Sequence, residues 1–172
     1  PIWTSVVTGR ERHVAGAREG HLPYPQRSLR TKDFLYILNF APDRWPMGDP
    51  QGMDDLSAAP IAFEKLREDT WAAYPDFDAS PTKAWMIHHR AEEMVRPMFD
   101  LAFGKRPREE LYDLRTDPDY LHNVAGEGTY AETLSRMRDQ LMEYLRTHQD
   151  PRVVEDPCRF EHAPYAGPLP EA

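Results

Sequence analysis

The sequence predicts an α+β fold: a small four-stranded antiparallel sheet covered by a C-terminal helix, with additional helices and long loops. Three observations point there. Four short runs suited to strands lie near 2–8, 27–31, 34–39 and 110–114. An apolar stripe at helical spacing runs over 130–146. The segments between are dense in proline, glycine and aspartate, residues that turn a chain rather than extend it.

Taken in order, Ile2 to Thr8 is rich in β-branched residues and closes on Gly9, a strand running into a loop. Arg10 to Pro25 has no periodicity and holds Gly16, Gly20, Pro23 and Pro25, which marks it as that loop. Arg27–Thr31 and Phe34–Asn39 are separated by Lys32-Asp33 alone, the length of a tight hairpin. From Ala41 to Pro60 the chain makes a long irregular excursion. A short helix is expected over 63–73, with Phe63, Leu66 and Thr70 along one side.

Ser80-Pro81 supplies an N-cap and a first-turn proline for a helix over 81–96. Trp85, Met86, His89, Met94 and Met98 follow at helical spacing, and Pro97 should kink or end the helix before Phe99. Glu110 to Leu114 alternates as a half-buried strand does, with Leu111 and Asp113 on one face, and Asp117-Pro118 stops it. Thr129 and Glu132 have capping-box spacing ahead of the stripe Leu134, Met137, Leu141, Tyr144 and Leu145. Residues 1–150 are thus expected to form one subdomain, and 151–172 a proline-rich tail without regular structure.

A chain of 172 residues fits one ordinary domain. Pro1-Ile2-Trp3 enters a strand at once, so the chain is expected to begin inside a longer protein. No apolar run approaches the length of a membrane span. The single cysteine, Cys158, can form no internal disulfide and leaves the redox compartment open. A net charge of −8 argues against a general nucleic-acid binder, which needs a broad basic surface. The bases Arg10, Arg12, Arg18, Arg27, Arg30 and Lys32 nevertheless outnumber Glu11 and Glu19 over residues 1–32. An anionic ligand, if one is met, is met there, unless the bases are only a solvated face.

Several residue clusters carry no chemistry by spacing. His88 and His89 point about 100° apart on a helix and cannot share one ion. Cys158 and His162 lack the second ligand pair that a zinc site requires. Glu109 and Glu110 face opposite sides of a strand and cannot work as an acid/base pair. Gly9-Arg10-Glu11-Arg12-His13 is the constellation to pursue, because guanidinium and imidazole groups in a loop after a strand can bind sulfate or carboxylate oxygens. The competing reading is a surface cluster that Glu11 neutralises from within.

Lys105 to Pro118 with Asn123-Val124-Ala125 contains a Glu-Leu-Tyr-Asp-Leu strand, an Asp-Pro turn and an Asn-x-Ala segment. Pro1-Ile2-Trp3, Gly9 to His13, Tyr24-Pro25-x-Arg27-Ser28, Asn39-Phe40, Ser80-Pro81-Thr82 and His148-x-Asp150-Pro151 accompany it in order. Together they resemble the C-terminal portion of the sulfatase family, most of all its heparan N-sulfatase branch and bacterial relatives.

The resemblance implies a sulfatase C-terminal subdomain of the alkaline-phosphatase-like superfamily. It also implies hydrolysis of sulfate esters or sulfamates of sugars by a formylglycine with calcium, both belonging to an upstream catalytic domain. This chain has no Cys-x-Pro-Ser-Arg and no paired-aspartate calcium motif, so no catalytic residue or metal ligand is expected within it. What the resemblance leaves to the chain is substrate recognition by Arg10, Arg12, His13 and Arg27, with a strand arginine tying domains together as the other reading of Arg27. A periplasmic or secreted location is implied too. A non-catalytic binding or interface domain that keeps the fold is the alternative.

Overall fold

The structure is a computed structural model that describes residues 4–162. The expected strand start at Ile2 and Trp3, and the end of the proline-rich tail, lie outside the described residues. Four strands, β1 (Ser5–Arg10), β2 (Gln26–Thr31), β3 (Phe34–Asn39) and β4 (Glu109–Asp113), form an antiparallel meander in the order β1-β2-β3-β4. Five helices accompany them: α1 (Phe63–Glu68), α2 (Pro81–His88), α3 (Arg96–Phe103), α4 (Ala131–Thr147) and α5 (Pro151–Val154). No helix among the described residues is long and apolar enough to cross a membrane.

The chain divides into two compact units, each with its own core, where the sequence suggested one subdomain. The first contains the residues up to Glu11, Tyr24–Pro42 and those from Pro107 onward. Its register aligns Val7, Leu29, Tyr36 and Leu111 in one row across the sheet. Met137, Leu141 and Leu145 of α4 pack into the same core, as their spacing on a 17-residue amphipathic helix requires. Burying each such side chain contributes about 1.5–3 kcal/mol.

Several local expectations are corrected in this unit. β4 is not half-buried, because Glu110 through Asp113 are all buried. On the face away from Leu111, Glu110 accepts from Asn39 Nδ2 (2.8 Å) and the Tyr112 hydroxyl (2.6 Å), and that polar set is buried together. Tyr130, not Thr129, is the N-cap of α4, and no side chain caps the helix, because a 3-10 turn at Gly128–Tyr130 occupies the place of the capping box. Residues 151–154, assigned to an irregular tail, form α5, capped by Asp150, which accepts from Arg152 N.

The motif after β4 gains a physical reason. Asn123 Oδ1 accepts from the backbone N–H groups of Leu111 (2.9 Å) and Ala125 (3.0 Å), so it satisfies part of the open edge of β4. Asp113 accepts three hydrogen bonds from Arg115, two from its guanidinium and one from its backbone N–H, and one from the Tyr130 hydroxyl. These residues shape a turn and contribute no reactive group.

The second unit comprises Arg12–Pro23 and Asp43–Arg106. Its core gathers Met53, Leu66, Tyr74, Ile87, Phe99 and Phe103. The helix foreseen over 63–73 is α1 followed by a separate 3-10 turn at Thr70–Ala72. The helix foreseen over 81–96 ends at His88, and Pro97 lies in the first turn of α3, where its missing N–H costs nothing. Lys83, Ala84 and Ile87 are the buried face of α2, while Trp85 and Met94 are exposed. The cause is Lys83, whose ammonium reaches the carbonyls of Thr70 (3.1 Å), Tyr74 (3.3 Å) and Phe77 (2.7 Å). Three donors meeting three acceptors make a buried lysine tolerable and orient the helix around it.

Candidate functional site

Arg10 ends β1, opposite Gln26, and Glu11 follows it. Gly9 stands opposite Arg27, whose guanidinium is almost fully buried. Arg27 Nε and Nη2 donate to Asp150 (2.6 and 3.1 Å). Nη2 also donates to Glu11 (2.7 Å), and Nη1 to the carbonyls of Arg10 (3.2 Å) and Gln26 (2.9 Å). Burial by itself would lower the pKa of Arg27, but the hydrogen bonds to Asp150 and Glu11 outweigh it and raise it. Its donors are committed to the protein, so the geometry favours a structural tie over ligand binding for this residue.

Glu11 carries a second partner. Arg152 donates to it through Nε and Nη2 (3.0 and 2.6 Å) and to Glu161 through Nη1 (2.6 Å). The carboxylate of the Arg-Glu-Arg run thus joins Arg27 and Arg152 from distant parts of the chain. The segment following α4 is bound to the sheet by this chain of alternating charge.

Arg12 and His13 belong to the second unit, whereas Arg10 and Glu11 belong to the first. Arg12 Nη2 donates to the carbonyl of His21 (3.0 Å). The His13 side chain is 65% exposed, and its Nδ1 lies 3.8 Å from Oδ1 of Asp76, a carboxylate with no exposure at all. The same carboxylate accepts from Val14 N (2.9 Å) and from Arg18 Nη2 (2.6 Å). Arg18 further donates to the carbonyls of Trp45 and Pro46.

Asp76 thus fixes the loop from which the imidazole projects. No pattern in the sequence named it, because its partners lie about sixty positions away and its own neighbourhood has no periodicity. The buried carboxylate holds the loop through Val14 and Arg18, and the imidazole beside it stays open to solvent. An exposed imidazole so placed can donate to or accept from an anionic or hydroxylic ligand.

Among the described residues no three His, Cys, Asp or Glu side chains converge as a metal site would need, and Cys158 is a free thiol. Among the described residues no such cluster fits the calcium of the resemblance.

No family model matches the chain. Two curated proteins do, and both are sulfatases. Over 155 residues the chain is 28% identical to the human N-sulphoglucosamine sulphohydrolase, covering 89% of this chain and 25% of that protein. Over 53 residues it is 36% identical to an uncharacterized sulfatase, YidJ, of Escherichia coli K12, covering 31% of this chain and 11% of that protein. The chain therefore spans at most about a quarter of the length of these relatives. The two matches support a sulfatase C-terminal region.

Proposed function

We propose that this chain is the C-terminal part of a sulfatase, a sulfuric ester or sulfamate hydrolase of sulfated sugars in the alkaline-phosphatase-like superfamily. In this reading the chain forms part of the pocket wall. A formylglycine nucleophile and its calcium lie in an upstream catalytic domain, the full protein is periplasmic or secreted, and the chain alone turns over nothing. Arg12 and His13 of the second unit, and Arg10 and Arg27 of the first, are the residues offered for recognition of the anionic sugar, with a structural tie as the other role of Arg27.

The observation that carries the reading is His13, an exposed imidazole on a loop secured by the buried carboxylate of Asp76. Preorganisation of this kind reduces the entropy lost on binding, and a loop anchored at a strand end is a usual place for recognition groups. The similarity to two sulfatases supports the substrate class.

A second reading, a non-catalytic interface domain, is favoured by one feature of the second unit. Trp85, Met94, Met98 and Leu101 are all exposed there, and adaptable methionines suit a protein partner. The test is His13→Ala in the full protein with formylglycine content monitored by mass spectrometry. A fall of about tenfold in kcat/KM on a sulfated sugar, with unchanged formylglycine, is expected for loss of a charge-assisted contact. Unchanged kinetics on several sulfated sugars would return the loop to solvated surface.

A further inference from the structure

Within the second unit, residues 16–21, the turn at 49–51 and the segment 71–75 enclose a cleft of about 560 Å3. One wall is Trp71, 46% exposed despite being the largest kind of apolar side chain. Its backbone N–H is held by Asp69 Oδ1 (2.9 Å), which fixes where the indole emerges. Glu19, His21, Asp49 and Gln51 supply polar groups to the lining, beside Arg18, the small residues Gly16, Ala17 and Gly20, and Pro75.

The rim is built at a cost. His21 (φ 56°) and Gln51 (φ 51°) adopt the left-handed conformation that side chains with a Cβ disfavour, by roughly 1–2 kcal/mol each. Several bonds enforce it. Arg12 Nη2 holds the His21 carbonyl (3.0 Å), Asp49 Oδ2 accepts from Glu19 N (2.7 Å), and Asp49 N donates to the Ala17 carbonyl (2.8 Å). Behind it, a Cβ on Gly48 would sit 2.6 Å from Pro75 Cδ and 2.8 Å from the Ala17 carbonyl oxygen, so backbone packs directly on backbone. Non-glycine residues held in this region gather where a ligand is clamped.

A flat indole beside carboxylate, amide and imidazole groups matches one ligand chemistry well. The C–H face of a pyranose ring packs on the indole while its hydroxyls donate to the carboxylates. Glu19 and Asp49 oppose a sulfate or carboxylate at this point, and Nε and Nη2 of Arg18 are directed to Trp45, Pro46 and Asp76. We propose that the cleft is a subsite for an uncharged pyranose unit of a sugar chain. The proposal deepens the reading given above, on which it rests, by assigning recognition of a sugar unit without sulfate to Trp71 and its surroundings.

The test uses the full protein and two neutral disaccharides, cellobiose and N,N′-diacetylchitobiose, with binding followed by saturation-transfer NMR and calorimetry. Wild type should bind at least one of them, with saturation strongest on ring-face protons. Trp71→Ala should weaken binding about fivefold or more, and Trp71→Phe, which keeps a stacking face, should recover most of it. No binding by wild type, or equal binding by wild type and Trp71→Ala, overturns the proposal. Because these probes carry no sulfate and the readout needs no turnover, the result is separable from the kinetics of His13→Ala.

Discussion

Gly9 and Arg27 face each other across the first two strands, and the arginine side chain crosses the space a Cβ on the glycine would fill, with Arg27 Cδ 2.9 Å from that position. The glycine is what lets a long side chain lie flat on the sheet and reach Asp150, 123 positions further along the chain. In the sequence Gly9 stands at the entry to a loop and Arg27 in a strand run, with no shared pattern between them. In the fold their pairing is the seat of an ion-pair chain joining Glu11, Arg27, Asp150, Arg152 and Glu161.

Gly9→Ala should destabilise the first unit by about 1–3 kcal/mol, the usual cost of overpacking. Arg27 cannot swing aside cheaply, because its guanidinium is pinned on both sides. The measurement is chemical denaturation of the full protein, with Val6→Ala, at an exposed β1 position, as the control. Equal losses in the two variants would mean that the close approach carries no energy.

Lys83→Met should be among the more damaging single changes in the second unit. Methionine fills the space but leaves the carbonyls of Thr70 and Phe77 without this donor, at a cost of about 1–3 kcal/mol for each buried group left unsatisfied, while the Tyr74 carbonyl keeps the Phe77 N–H. Burial lowers the Lys83 pKa to about 8, Asp69 and Asp78 opposing the shift. Hydrogen exchange read over residues 70–88 should quicken in the variant. Unaltered protection there would sink the assignment.

Acid should loosen the first unit in a defined window. Hydrogen bonds from Arg115 hold the Asp113 carboxyl down at about 2, against the opposing effect of burial, and Arg138 holds Glu109 low in the same way. Both folded pKa values lie below the unfolded ones, so the stabilisation is complete above the ordinary carboxylate range. It is lost as pH falls from there toward 2, when the folded state must give up partners that the unfolded state never had. Asp113→Asn should flatten the acid limb of a thermal stability profile recorded from pH 6 to about 2. A limb as steep as that of wild type would contradict this account.

Much of the first unit was legible in the sequence. Two strands separated by Lys32-Asp33 could pair only as a hairpin, and the stripe from Leu134 to Leu145 could lie only on an apolar face. The second unit was less so. Trp85, His89 and Met94 lie at helical spacing in the sequence, but α2 ends at His88 and buries Lys83, Ala84 and Ile87, with the Lys83 ammonium on three carbonyls. Of the candidate site, the loop was visible and its members Arg12 and His13 were named, yet Asp76, which secures it, was not.

The sequence by itself determined the strand runs, the main helix, the excess of bases near the beginning and the motifs shared with sulfatases. Those features are local, set by side-chain spacing and backbone preference within a few residues. Only the tertiary structure decided that the chain forms two units, that Glu11 joins Arg27 and Arg152, and that Trp71 walls a cleft with His21 and Asp49. Those pairings join groups many residues apart, and a charged side chain does not encode its partner: the partner is whichever opposite charge the packed backbone brings within reach while water is excluded.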